Sequence, residues 1–207
     1  MNKIESGDER VMIFIDLANT ERRVEKFQLK NLILDYMDLC DSLTGDRRLV
    51  KAIVYDSSVG ASDNKWYFLR ALENIGLELE IRTYLHSDIQ QKEVDVAMAT
   101  GMLSEGYRNS YDTAVVVSGD RDFVPAIEDL KRLGKRVEVA SFMNSASHAM
   151  IESSDHFINL DKLCIFDPSR CTVLDKPGSV KMVEEDQGMT APVANTNESE
   201  IMAHGDF

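Results

Sequence analysis

Residues 111–127 read YDTAVVVSGDRDFVPAI: an apolar run, a short turn carrying two acids, then the start of a helix. The run TAVVV (113–117) does not alternate between apolar and polar positions. It therefore suits a strand covered on both faces, as in a parallel sheet between layers of helix. Working outward, VMIFI (11–15), KAIVY (51–55) and RVEVASF (136–142) repeat the pattern. ELEIRTY (78–84) alternates instead, with Leu79, Ile81 and Thr83 opposite Glu78, Glu80 and Arg82, which predicts a half-covered edge strand. Helical spacings lie between these runs. Leu29, Leu32, Ile33, Tyr36, Met37 and Cys40 follow one, and Phe68, Leu72 and Ile75 follow another that ends at Gly76. A short helix near 146–152 and a small strand in HFINL (156–160) complete the alternation. It predicts an α/β fold: a doubly wound, mostly parallel sheet in a Rossmann-like three-layer sandwich, with right-handed crossovers and strand order 3-2-1-4-5.

At 207 residues and 43% hydrophobic, the chain can bury one substantial core but not two. From residue 168 the apolar residues lose their period, and Gly, Pro and acids accumulate. The expected organisation is one domain over 1–167 and a flexible acidic tail over 168–207. There is no apolar run of about eighteen residues, and the opening MNKIESGDER lacks the apolar stretch of a secretory signal, so a soluble, cytoplasmic protein with no membrane contact is expected. Cys40, Cys164 and Cys171 have neither zinc-site nor disulfide-framework spacing, which fits a reducing compartment. The net charge of −13 excludes a generic nucleic-acid binder that works through an overall basic surface. A polyanionic substrate would need divalent cations or a local basic cluster.

The acids fall where such cations would bind. In a doubly wound sheet, ligands gather at the carboxyl ends of the strands, where the strand order reverses. Asp16 ends the first strand in FIDLANT, and Asp120 and Asp122 follow the fourth in SGDRDF. Asp95, in KEVDVAMA, is expected in the first turn of the helix leading into that fourth strand, on the same rim. Carboxylates converging on one crevice repel one another, and all-oxygen ligands with few His or Cys select Mg²⁺ or Mn²⁺ over zinc. Each acid also has a plainer reading. Asp16 could be a turn residue or helix cap, Asn19 a local hydrogen bonder, Asp95 a residue favoured by the helix dipole, and Asp122 a cap for FVPAIEDLKRL. Coincidence of four such roles on one sheet edge is the harder account.

At these motifs the sequence resembles the NYN-domain, LabA-like branch of the PIN-like nucleases, over roughly residues 10–162. FIDLANT resembles that family's opening strand with Asp16 and Asn19, KEVDVAMATGM its helix with Asp95, and YDTAVVVSGDRDFVPAI its signature with Ser118, Gly119, Asp120 and Asp122. The resemblance implies a PIN-like fold and a Mg²⁺- or Mn²⁺-dependent endoribonuclease. Asp16, Asp95, Asp120 and Asp122 would then be catalytic and metal-binding, with Asn19 and Ser118 toward substrate. Lys92, one turn before Asp95, is read from its position alone, either as a contact to a substrate phosphate or as a solvated lysine at a helix start. The implied partner is RNA, single-stranded by preference, and homo-oligomers are compatible with the family. Relatives often carry a further acid six positions after the helix Asp, where this chain has Gly101. On that reading Gly101→Asp would raise metal occupancy or cleavage, although six residues is about 600° of helix and puts position 101 about a third of a turn from Asp95.

Other features point less directly. Lys65, Trp66 and Arg70 combine charge and an aromatic at helical spacing, as a base-stacking surface does, although Trp66 reads more simply as a core or partner contact. Lys131, Arg132, Lys135 and Arg136 surround a helix end, where cations are favoured in any case. The four His residues show no ligand spacing. The rival to an enzyme is a catalytically weak or inactive module on the same fold that holds RNA or protein. A phosphatase-like phosphotransfer protein fits less well, because the first strand is followed by Asp-Leu-Ala-Asn and not Asp-x-Asp.

Overall fold

The computed structural model describes residues 8–26, 34–57, 62–82 and 90–163, and the pairs 173–174 and 180–181. Six strands form one parallel sheet: β1 (Arg10–Asp16), β2 (Arg48–Ser57), β3 (Glu78–Arg82), β4 (Thr113–Val117), β5 (Arg136–Ser141) and β6 (His156–Asn159). Their order is β3-β2-β1-β4-β5-β6, the expected arrangement extended by β6 at one edge. The chain runs outward one way from β1 and then the other way from β4, so the switch point lies between these two strands. Register sets Ile15 against Val117 on one side of β1 and Asp16 against Tyr55 on the other.

The central strands are buried on both faces, as their unbroken apolar runs require. Val11, Ile13 and Ile15 of β1 join Val54, Val115 and Val117 in one core, closed by α2 (Tyr36–Thr44) and α3 (Asp63–Asn74). Met12, Phe14, Ala114 and Val116 face the other, closed by α4 (Gln90–Tyr107), α5 (Val124–Arg132) and α6 (His148–Ser153). Leu79 and Ile81 of β3 pack on the first core while Glu80 and Arg82 pair with each other, as expected of an edge strand. Glu138 interrupts the apolar run of β5 and is buried. Its cost is met by Arg47 at 3.0 Å and Arg136 at 2.8 Å.

The helices depart from the sequence reading in three places. A helix α1 (Leu17–Lys26) follows β1 directly and was not anticipated, because its sequence is mostly polar and buries only Leu17 and Thr20 among the side chains described. Helix α2 begins at Tyr36, capped by Asp35, whose side chain accepts from Met37 and Asp38 N–H. Of the spacing read from Leu29 onward, residues 29–33 lie outside the described residues, and Met37 faces solvent. In α3 the buried residues are Leu69 and Leu72, whereas Ile75 is exposed. That helix closes at Gly76, whose φ of +94° suits the absence of a Cβ. The expected tail contains a two-residue antiparallel ribbon, β7 (Val173–Leu174) with β8 (Val180–Lys181); its other residues lie outside the described ones. Among the described residues, no helix is long and apolar enough to cross a membrane.

Candidate functional site

Asp16 continues the period of two set by Met12 and Phe14, so its side chain leaves the sheet on the side of α4 and α5. It is buried and held from three directions. Its Oδ1 accepts from Asn19 N–H at 3.1 Å, which makes it the cap of α1 as well as a rim acid. Its Oδ2 accepts from the Ser118 hydroxyl at 3.0 Å, and its carbonyl accepts from the Thr20 hydroxyl at 2.8 Å. Ser118 follows the last residue of β4, and its hydroxyl accepts from Asp120 N–H at 3.2 Å. Asn19 reaches across the switch point, where its Oδ1 accepts from Gly119 N–H at 3.2 Å. The motifs FIDLANT and SGDRDF, about a hundred residues apart, are thus tied into one hydrogen-bonded unit.

Gly119 makes that unit possible. A Cβ there would stand 2.2 Å from the carbonyl oxygen of Ser145, which is backbone and cannot swing away. The Gly119 carbonyl in turn accepts from Ser147 N–H at 3.0 Å. Asp120 caps the 3-10 turn Arg121–Phe123, its Oδ1 accepting from Asp122 N–H at 3.1 Å. The cap foreseen at Asp122 is therefore made by Asp120, and Asp122 projects from the turn into solvent. Asp95 lies in the second turn of α4, one turn later than expected.

The electrostatics bring these acids together. Burial pushes the Asp16 carboxyl up to about 6; the hydrogen bonds from Asn19 and Ser118 oppose the rise, and the negative charges of Asp95 and Asp120 add to it. Two carboxylates from two other segments therefore act on the one that ends β1. Asp95 and Asp122 also line a cleft of about 660 Å³ between α4 and the turn into α5. Lys92 and Arg121 stand on its walls, with Val96, Ala99, Val124, Pro125 and Ala149. Arg121 was not singled out from the sequence, where it is one more charge inside an acidic motif.

An all-oxygen set of this kind, with one carboxylate raised by burial and by its neighbours, has the chemistry of a hard-cation site. Among the described residues, no three His, Cys, Asp or Glu side chains are gathered closely enough to hold an ion as they stand. An ion would have to draw Asp95 or Asp122 toward Asp16 and Asp120.

Gly101 lies elsewhere. A Cβ on it would stand 2.2 Å from the Tyr55 hydroxyl, and it lines a separate groove of about 950 Å³ between α4 and the β2–β3 edge. It is a place where a buried tyrosine presses on a helix, which removes the reason to expect an ion ligand there. The other basic features are largely engaged. Lys65 stands 2.6 Å from Asp56, the buried acid near the end of β2, which follows Val54 onto the opposite face. Lys131 pairs with Asp155, Arg132 with Asp129, and Arg136 with Glu138. Trp66 is exposed beside Lys65. Cys40 is buried among apolar side chains, and that burial pushes its thiol up to about 12, as befits a packing residue.

A parallel α/β sheet whose strand order reverses between β1 and β4 is the architecture that gathers ligands at the carboxyl ends of its strands, where Asp16 and Ser118 stand. Over residues 10–161 the chain matches the NYN domain, and it belongs to that family, whose members are PIN-like in fold and in general nucleases. No curated protein matches it. Among solved structures, a protein of unknown function from Vibrio parahaemolyticus is similar in fold, with a TM-score of 0.66 and 21% identity, covering 77% of this chain and 98% of that one.

Proposed function

We propose that this protein is a metal-dependent endoribonuclease that hydrolyses RNA phosphodiesters, single-stranded by preference, in the cytoplasm. The observation that carries the reading is the buried Asp16 at the switch point, with the charges of Asp95 and Asp120 directed on it. Asp16 and Asp120 would be the principal holders of Mg²⁺ or Mn²⁺, with Asp95 and Asp122 completing the shell or orienting a water. A bound ion would polarise a phosphoryl oxygen and supply an acidic water. The chain's own part is positional. Ser118 and Asn19 fix the Asp16 carboxylate and the Gly119 backbone, and Lys92 meets substrate phosphate. The 168–207 segment remains a proposed acidic tail outside this machinery.

The absence of a ready three-carboxylate cluster among the described residues favours a second reading, a weak or inactive module that holds RNA or protein. One experiment separates the two. With Mg²⁺ or Mn²⁺, purified wild type should cleave single-stranded RNA faster than duplex RNA or DNA, and should melt at a higher temperature, since a ligand of the folded state stabilises by mass action. Asp120→Asn should lower cleavage on the order of a hundredfold and blunt the thermal response. RNA binding without cleavage would establish the module; an unimpaired Asp120→Asn would mean the site is wrong.

A further inference from the structure

The cleft between α4 and α5 has a composition that the metal site does not explain. Its walls are mainly aliphatic: Ala99 and Val124 are half-buried, Pro125 and Ala149 are exposed, and Val96, 65% exposed, stands on the ridge that this cleft shares with the larger groove on the other side of α4. Around that surface are two cations. Most of the lysines and arginines the structure describes stand against a carboxylate, as Arg10, Arg47, Lys51 and Arg108 do. Lys92 and Arg121, like Arg48, Arg70 and Lys162, make no such pair among the described residues, and what sets these two apart is that they share one cleft. They come from different elements, Lys92 from the first turn of α4 and Arg121 from the turn after β4, and they converge on one cleft. The larger groove on the far side of α4 offers no such pairing, because its Lys51, Arg82 and Arg108 are already matched with Glu78, Glu80 and Glu105.

An apolar surface flanked by two cations that no described carboxylate pairs is complementary to a ligand with a flat apolar body and anionic links on either side. The geometry points to a nucleotide subsite: one unstacked base of a single-stranded RNA lies on Val96, Ala99, Val124 and Pro125, while Arg121 and Lys92 hold the phosphates that flank it. Its volume of about 660 Å³ is in the range of about 300–1,000 Å³ usual for ligand pockets. Asp95 and Asp122 line the same cleft, so a base seated there sets which phosphate comes to the carboxylates. A paired base is unavailable to such a surface, which gives the preference for single strands a structural origin. The inference rests on the nuclease reading for its substrate but concerns binding, and the two can fail separately.

The test is binding of a short fluorescent single-stranded RNA by the full chain in EDTA, where no turnover occurs. Lys92→Ala and Arg121→Ala should each weaken binding about fivefold to tenfold. Together they should flatten the log–log salt dependence by about 1.4, two phosphate contacts at about 0.7 each. Ala149→Phe fills the cleft from an exposed position on α6. It should weaken binding at least as much without changing the salt slope, and an abasic ribose in the oligonucleotide should abolish the difference between it and wild type. All variants should melt with the parent. Wild type that binds through the cleft but never cleaves with Mn²⁺ would end the nuclease reading and uphold the subsite. Cleavage by wild type with equal RNA affinity in all cleft variants would overturn the subsite and leave the nuclease reading, and wild type that binds no RNA would overturn it too.

Discussion

The two ends of the central sheet treat their acids in opposite ways. At the amino end, Asp112 accepts from Arg10 through both oxygens, Glu138 lies between Arg47 and Arg136, and Asp155 stands 3.0 Å from Lys131. At the carboxyl end, on the α4 face, Asp16 and Asp120 take hydrogen bonds from amides and a hydroxyl, and no Lys or Arg stands against either among the described residues. The difference shows in their protonation. The Arg10 guanidinium holds the Asp112 carboxyl below its ordinary value, whereas burial pushes Asp16 up to about 6. On the opposite face of the same carboxyl edge, Asp56 has Lys65, so burial alone does not decide which acids are paired. The amino end gains stability from its paired acids, whereas the buried carboxyl at the switch point costs stability when it ionises.

Asp16→Asn should break this contrast with the largest effect. Asn caps a helix about as well as Asp, so the bond from Asn19 N–H survives. Because the folded-state value of about 6 lies above the ordinary 3.8, the protonated carboxyl stabilises fully below about pH 4. That contribution disappears as the pH rises through about 6. The variant should therefore be more stable than metal-free wild type at pH 8, by up to about 3 kcal/mol, and lose the decline between pH 4 and 6, while metal-dependent cleavage falls below detection. Urea melts across that pH range are the check, and parallel curves for the two proteins would refute it.

Gly119→Ala comes next. The added methyl meets the Ser145 carbonyl and the chain around Ala146, so the SGD turn or the 142–147 loop must shift. A cost of about 2–3 kcal/mol is expected, with loss of the thermal response to Mn²⁺, because the shift also moves Asp120. Gly101→Asp should cost less, about 1–2 kcal/mol, since the obstacle is the end of the Tyr55 side chain and the groove beside it has room. Its metal titration should match wild type; tighter Mn²⁺ binding would return position 101 to the site.

Gly101 shows where sequence reading stops. Strand positions and order were legible because continuous apolar runs of five or so residues between helical spacings admit few arrangements, and Asp16 and Ser118 follow from being the residues at which two such runs end. What a helix residue faces after six positions depends on the neighbour across the interface, and nothing in KEVDVAMATGM reveals Tyr55. Helix α1 was missed for a related reason. Its first turn is fixed by the Asp16 cap, the Thr20 hydroxyl and the single buried Leu17, too few apolar positions to show a period in the sequence. Arg121 gained meaning only when α4 brought Lys92 opposite to it.

The smallest effect sharpens the comparison most, because its sign is reversed. Asp112 accepts from the Arg10 backbone N–H at 2.9 Å and from its guanidinium at 2.8 and 3.0 Å, a two-pronged contact joining the starts of β1 and β4. These bonds hold the folded-state carboxyl below its ordinary value, so their contribution is fully present above about pH 4 and is lost as the pH falls through the depressed folded-state value. Both partners are more than a quarter exposed, and solvent screens the pair. Asp112→Asn should therefore cost no more than about 1 kcal/mol at pH 7. That penalty should shrink in acid, whereas the gain from Asp16→Asn grows as the pH rises from 4 to 6. Measured as urea midpoints, the two variants should diverge with rising pH, one above wild type and one below. If both curves fell together, the two ends of the sheet would be electrostatically alike, and the carboxyl end would lose its claim to a strained, cation-seeking site.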